Sequence, residues 1–264
     1  MFLMLLGVTE SAQPRPAGLD CARTLDEGHE LVQAHKPLAA SHVLVDLIDS
    51  QACPAQEAEA HGLVGKALLE LEMLHSAEHH LLQVLRYEPG PMTAPSLSRL
   101  LEISRVTGDS SALREALPRA PESHWPRRGE DELRTLSGLR LLERGQLSEA
   151  REELARVDPD SPSGDKARYL LGLTLYQQER PRTAAQTFLE VPGPGRAQDL
   201  ALLGLGRIGY EYGRYELAMR AYGELDHDSE LWPEALFERS YVQLRQHELE
   251  GSMGDLLSLK SPHF

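Results

Sequence analysis

Aromatic residues make up only 5% of this chain of 264 residues, and β-branched residues are thin. Sheets draw their cross-strand packing from those residue types, so an extensive β-structure would be poorly supplied. Cysteine is almost absent. Cys21 and Cys53 are the two thiols, too few to make a four-ligand zinc site alone. Long hydrophobic runs are lacking too. The apolar stretch Phe2-Leu-Met-Leu-Leu6, with Gly7 and Val8 after it, is too short to span a bilayer. Clustered basic residues are missing: the nearest approach, Arg127-Arg128 behind Pro126, is too brief to bind a phosphate backbone. With a formal net charge of −14, the chain is a poor partner for nucleic acid.

What is present favours helix. Leu, Ala, Glu and Arg dominate the composition. Small residues recur at fixed places. Gly138 is followed by Ala150, Leu154 and Val157; Gly172 by Ala184, Phe188 and Val191; Gly206 by Ala218, Tyr222 and Leu225; Ser240 by Ser252, Leu256 and Leu259. The step from Gly138 to Gly172 is repeated without change to Gly206 and again to Ser240. Two earlier copies read Gly28, Ala40, Leu44, Leu47 and Gly65, Ala77, Leu81, Val84. A degenerate copy lies between them and the rest, at Leu101, Leu113 and Leu117, with Gly108 between its helices. A glycine inside a helix costs about 1 kcal/mol against alanine, so its regular return points to close helix packing that offsets the cost.

This spacing resembles the tetratricopeptide repeat, an antiparallel helix pair of about 34 residues that crosses at small side chains. The resemblance implies an all-α fold: a right-handed solenoid of about seven helix-turn-helix repeats, each too small to bury its apolar face without its neighbours. Three repeats, the third degenerate, occupy 20–125, and four occupy 126–264. The stretch from Pro118 to Arg128 is expected to separate the two groups. Gly108, Gly145 and Gly213 fall at the turns between helices; Glu179 replaces one such glycine. No polar capping helix follows Pro262-His263-Phe264, so this end is expected either to dock on a partner or to continue in a longer protein.

Residues 1–19 have the apolar segment and the small residues of a secretory signal, without its basic start. The other reading is an unstructured hydrophobic tail. Asp20, directly before Cys21, argues against a lipoprotein signal. In the repeat frame, Cys21 opens the first helix of the first pair and Cys53 follows its second helix, so both stand at one end of a hairpin. They are either a disulfide or two buried thiols. A bridge would persist in an oxidising compartment.

Several patterns invite a chemical reading. Gly204-Leu-Gly206-Arg-Ile-Gly209 matches the dinucleotide fingerprint, but that motif needs a strand before it and a helix starting at its glycines. Here the glycines fall inside a repeat helix. His75 and His79 share a helix face with His80 beside them, yet no carboxylate completes a known metal pattern, and they read as solvated. Asp158-Pro-Asp160 and Asp226-His-Asp228 read as acidic turns. No catalytic, cofactor-binding or metal-binding residue is assigned.

In the family that the repeats resemble, the first helix of each pair lines a concave groove. Carried onto this sequence, the groove positions of the later repeats are Lys166, Tyr169, Leu173 and Tyr176; Leu200, Leu203, Arg207 and Tyr210; and Glu234, Phe237, Tyr241 and Leu244. Five of these twelve are aromatic, in a chain with few aromatics. Aromatic and arginine side chains are the usual anchors of protein interfaces. The expected function is therefore a non-enzymatic scaffold that holds a peptide or partner protein, as part of a multiprotein complex. The stretch from Pro233 to Phe264 is also similar to tetratricopeptide segments of myxobacterial envelope proteins, some of them in gliding-motility machinery. That similarity implies a periplasmic or envelope location. The alternatives are a cytoplasmic adaptor or co-chaperone, and a fragment of a larger regulator or enzyme.

Overall fold

A helix with one apolar stripe must lay that stripe against something, and a chain of such helices joined by tight turns does so pairwise. The computed structural model describes residues 20–260 and shows this arrangement throughout. The expected signal segment, 1–19, and the last four residues lie outside the described residues. Contacts divide the chain into two units, between Pro126 and Arg127.

The first unit contains α1 (Cys21–Gln33), α2 (Pro37–Asp49), α3 (Glu57–Glu70), α4 (Leu74–Val84), α5 (Thr93–Thr107) and α6 (Ser111–Ala116). Two single 3-10 turns follow, Leu117–Arg119 and Glu122–His124. The second unit contains α7 (Glu130–Glu143), α8 (Leu147–Ala155), α9 (Gly164–Gln177), α10 (Pro181–Leu189), α11 (Arg196–Glu211), α12 (Tyr215–Gly223), α13 (Trp232–Arg245) and α14 (Leu249–Ser258). No strand occurs among the described residues.

Why the pairs close so tightly is visible at their crossings. A Cβ added to Gly28, Gly65, Gly138, Gly172 or Gly206 would come within 3.0 Å of the side chain sixteen residues later: Leu44, Leu81, Leu154, Phe188 and Tyr222 in turn. Each glycine is a socket for one large residue of the partner helix. Those five residues are at most 4% exposed. At the degenerate pair Leu101 stands where the socket should be, and the second helix, α6, lasts only six residues before Pro118. In the last pair Ser240 fills the socket, its hydroxyl donating to the Phe237 carbonyl at 2.7 Å. Leu256, sixteen residues on, is left 38% exposed.

The turns share a second rule. The residue seven places after each crossing position takes a left-handed conformation: His35, Glu72, Gly108, Gly145, Glu179, Gly213 and His247, with φ between 52 and 72°. Glycine adopts this backbone freely, whereas in other residues it costs about 1–2 kcal/mol. Four of the seven turns carry a residue other than glycine there.

Cys21 and Cys53 are joined by a disulfide with a Cα–Cα distance of 5.6 Å. It ties the start of α1 to the segment between α2 and α3. Cys53 itself is buried, at 1% exposure.

Candidate functional site

In the second unit the first helix of each pair touches the first helix of the next: α7 meets α9, α9 meets α11 and α11 meets α13. Each second helix is wedged against the following first helix. The first helices are thus the nearer-spaced row and form the inner side of the unit. Residues of α9, α11 and α13 that point away from their packing partners make up its surface.

The expected groove residues divide into three groups there. Lys166, Arg207, Tyr210, Phe237, Tyr241 and Leu244 are exposed. The apolar members are substantially so: Tyr210 at 37%, Phe237 and Tyr241 at 47%, Leu244 at 42%. The Phe237 and Tyr241 rings meet edge to face at 5.1 Å, which leaves their outer edges and faces free. Tyr169, Leu173 and Tyr176 are half-buried. Tyr169 stacks on Phe188 of α10, with centroids 5.9 Å apart, so its ring packs between helices. Leu203 offers no surface at all. It is 1% exposed, within a core cluster that also holds Tyr222, Trp232 and Leu236, because α13 lies over it.

Several polar groups of this face are already engaged. Arg207 on α11 donates from Nε to Glu238 at 2.9 Å and from Nη2 to the same carboxylate at 2.7 Å, and it also reaches Glu234. Its pKa is pushed up, first by the hydrogen bonds to Glu238; burial comes next and opposes this, and the charges of Glu238 and Glu234 then add to the rise. It is therefore held as a permanent cation whose charge is neutralised within the protein. Tyr222, from α12, donates to the other Glu238 oxygen at 2.9 Å. Tyr176 donates to Glu211, and that bond is the main cause that raises its phenol to about 12. These links run from one pair to the next, so they fix neighbouring repeats as well as individual side chains. Glu238 and Glu211 carry no signal in the sequence. They lie 31 and 35 residues from Arg207 and Tyr176, separations that mean nothing until the pairs are stacked.

The sequence patterns outside the groove resolve as follows. Gly204, Gly206 and Gly209 all lie within α11, facing Phe188, Tyr222 and the Ala218 backbone respectively. They are packing positions, with no strand before them. Asp158 and Asp226 each accept from the backbone N–H two residues on, at 3.0 Å, which closes the two acidic turns. Among the described residues there is no group of three or more His, Cys, Asp or Glu placed to hold a metal ion. One reading needs correction. His75 and His79 are exposed, but His80 turns inward, its Nδ1 2.9 Å from Nδ1 of His61 on α3. The helix register puts it one residue round from the exposed pair, over the α3–α4 seam. No helix among the described residues is long and apolar enough to cross a membrane.

Comparison with known proteins agrees with this geometry. The tetratricopeptide repeat family model matches residues 135–199, which span α8, α9 and α10 with most of α7. No curated protein matches the chain by sequence. Among solved structures, the C-terminal part of a tetratricopeptide repeat-containing protein from Cytophaga hutchinsonii superposes with a TM-score of 0.53 at 13% identity, covering 89% of this chain and 95% of that one. A tetratricopeptide repeat protein from Parabacteroides merdae covers 94% of both chains at 13% identity, with a TM-score of 0.46. The Pseudomonas aeruginosa pilF structure gives 0.44 at 15% identity, covering 91% of this chain and 90% of that one. Residues 135–199 thus match the tetratricopeptide repeat, the paired helices on either side of them and the socket glycines continue the same pattern through both units, and the all-α fold is similar to that of solved tetratricopeptide repeat proteins.

Proposed function

We propose that this protein is a non-enzymatic scaffold whose second unit grips a peptide or a partner helix on the inner side of α11 and α13. The observation that carries this reading is the exposed apolar row Tyr210, Tyr241 and Leu244, set on a backbone that Arg207, Glu234 and Glu238 hold rigid. Exposed aromatic rings fixed on packed helices lose little side-chain freedom on binding, which suits them as anchors. Amphipathic helices that present apolar residues at spacings of three and four are the natural occupants of such a row. Because Arg207 is neutralised within the protein, the ligand is held by apolar contact rather than through a carboxylate.

The proposal extends to place. The bridge between Cys21 and Cys53 supports an exported protein working in an oxidising compartment such as the periplasm, within an envelope assembly.

Affinity capture from native cells, with the whole chain and with Tyr210→Ala/Tyr241→Ala, tests the first part. Both side chains are exposed, so the variant should fold normally. Loss of about tenfold or more in recovery of one partner is expected, the scale of an interface anchor. Equal recovery by both proteins would discard the inner face as the binding surface. Cell fractionation with thiol alkylation tests the second. Cys21 and Cys53 should resist alkylation until reductant is added, in an exported fraction. Freely alkylated thiols in the cytoplasmic fraction would instead support an adaptor of the same fold inside the cell.

A further inference from the structure

A cavity of about 340 Å³ opens between the starts of α10 and α12, over the end of α11, and it shares no residue with the expected groove. Pro181, Ala185, Ile208, Gly209 and Leu217 make its apolar floor, each buried or half-buried. Arg182, Tyr212 and Arg214 stand exposed at its rim.

The repeat shows why this seam is hollow. At the positions of Pro181, Ala185 and Gly209, the preceding repeat carries Leu147, Arg151 and Leu175, and the following one carries Tyr215, Met219 and Gln243. The neighbours are larger in every case, and Leu175 and Gln243 are buried. Gly209 admits no such side chain. A Cβ there would lie 2.8 Å from the backbone nitrogen of Ala218, so α12 sits too close to α11 for one.

Charge sets the seam apart as well. The counterparts of Arg182 and Arg214 are Ser148 and Arg180 one repeat back, and Glu216 and Glu248 one repeat on. Of these three seams only this one has a cation at both positions. No carboxylate lines the cavity, and among the described residues neither arginine is in an ion pair, unlike Arg207. In a chain of net charge −14, two cations without an acidic partner leave room for an anion from outside. Both α10 and α12 begin here, and their positive ends add to the same potential.

These features narrow the occupant. Guanidinium groups hold a carboxylate through paired N–H donors. The floor suits an apolar body, and the ring of Tyr212 suits an aromatic one. The volume is at the small end of ligand cavities, enough for one ring and a short chain.

We propose that this cavity binds a small free carboxylic acid with an aromatic body, its ring on the floor beside Tyr212 and its carboxylate held by Arg182 and Arg214.

The test is a titration of the whole chain with phenylpropionate, followed through backbone amide chemical shifts. Saturable shifts should appear at Gly209, Tyr212 and Leu217, with a dissociation constant of about 1 mM or below. Phenylpropionamide, which lacks the charge, and propionate, which lacks the ring, should each bind at least about tenfold more weakly. The variant Arg182→Gln/Arg214→Gln, changed at exposed positions, should lose phenylpropionate to the same degree. Ala185→Met installs the residue that the next repeat carries at this place, and it should fill the cavity and abolish the shifts. Circular dichroism checks that both variants fold; if Ala185→Met does not, the amide and the arginine variant still decide. Shifts that fail to saturate by about 10 mM, an amide that binds as well as the acid, or full binding by the arginine variant overturns the proposal. N-acetylphenylalanine binding at least about tenfold tighter than phenylpropionate would assign the site to the end of a peptide and overturn the free acid. None of these readouts involves the inner face, so they stand or fall apart from the partner capture.

Discussion

Tyr222 donates its phenol proton to Glu238 Oε2, 2.9 Å away, while Arg207 donates to both oxygens of the same carboxylate. The tyrosine is 1% exposed and its pKa is pushed well up, chiefly by burial and then by the Glu238 charge. A buried hydroxyl that serves a carboxylate shared with an arginine joins three helices, α11, α12 and α13. Its ring, meanwhile, fills the socket left by Gly206. Tyr222→Phe keeps the ring and removes only the bond. It should lower stability by about 1.5–3 kcal/mol, the usual worth of a hydrogen bond to a charged group. Urea denaturation at neutral pH would show this as a lower midpoint with little change in slope.

The socket glycines make an opposite-sign prediction. Alanine is the better helix former by about 1 kcal/mol, so helix propensity alone says that Gly138→Ala stabilises. Packing says otherwise, because the new methyl would press into Leu154. Overfilled cores typically lose about 1–3 kcal/mol, so the net expectation is destabilisation. A double variant with Leu154→Ala makes room for the methyl. It should show strong coupling between the two sites, and additive effects in that cycle would reject the socket.

At the turns, Glu179 holds a left-handed backbone at φ 58° although it is not glycine. Glu179→Gly should relieve that strain and raise stability by about 0.5–1 kcal/mol, after allowance for the extra freedom of glycine in the unfolded chain. The melting temperature reads it directly. His247→Gly, at the same place in the last pair and φ 65°, should act the same way.

His61 and His80 predict a pH response in the first unit. Burial is the leading cause that lowers both, with Glu57 partly opposing it at His61 and the neighbouring histidines adding to it at His80, which falls to about 4. Their facing Nδ1 atoms, 2.9 Å apart, need one ring to donate and the other to accept, which fails if both are protonated. In the unfolded chain these rings titrate near 6.5. Between about 6.5 and 4 the unfolded state therefore binds protons that the folded state refuses. Stability is complete above that window and falls as pH drops through it. Thermal unfolding from pH 7 down to 5 should show the loss, and His80→Gln should flatten it. An equal slope in the variant would assign the response elsewhere.

The helix pairs were legible because the sequence repeats what packing needs. A glycine or serine at each crossing, and a large residue sixteen positions later, are local signals that survive at every well-formed pair. The degenerate third pair showed its weakness in the same terms, through Leu101 at the crossing and Pro118 after Leu117. The exposure of the expected groove residues was legible only in part. The repeat register assigns Leu203 and Phe237 the same role, yet one is buried and the other open. The difference lies in whether a following helix covers the position, which no local pattern records. His80 shows the same limit: adjacent histidines on one helix differ in environment because only one of them points at α3.

By itself, then, the sequence determined the helix pairs, their period and the residues that seat one helix in another, since these depend on contacts within about 40 residues of chain. Tertiary structure alone decided which of the apolar residues on the first helices stay in contact with water, and which carboxylates neutralise Arg207. Those outcomes depend on what stacks next in space, and solvent exposure is a property of the stack rather than of any one repeat.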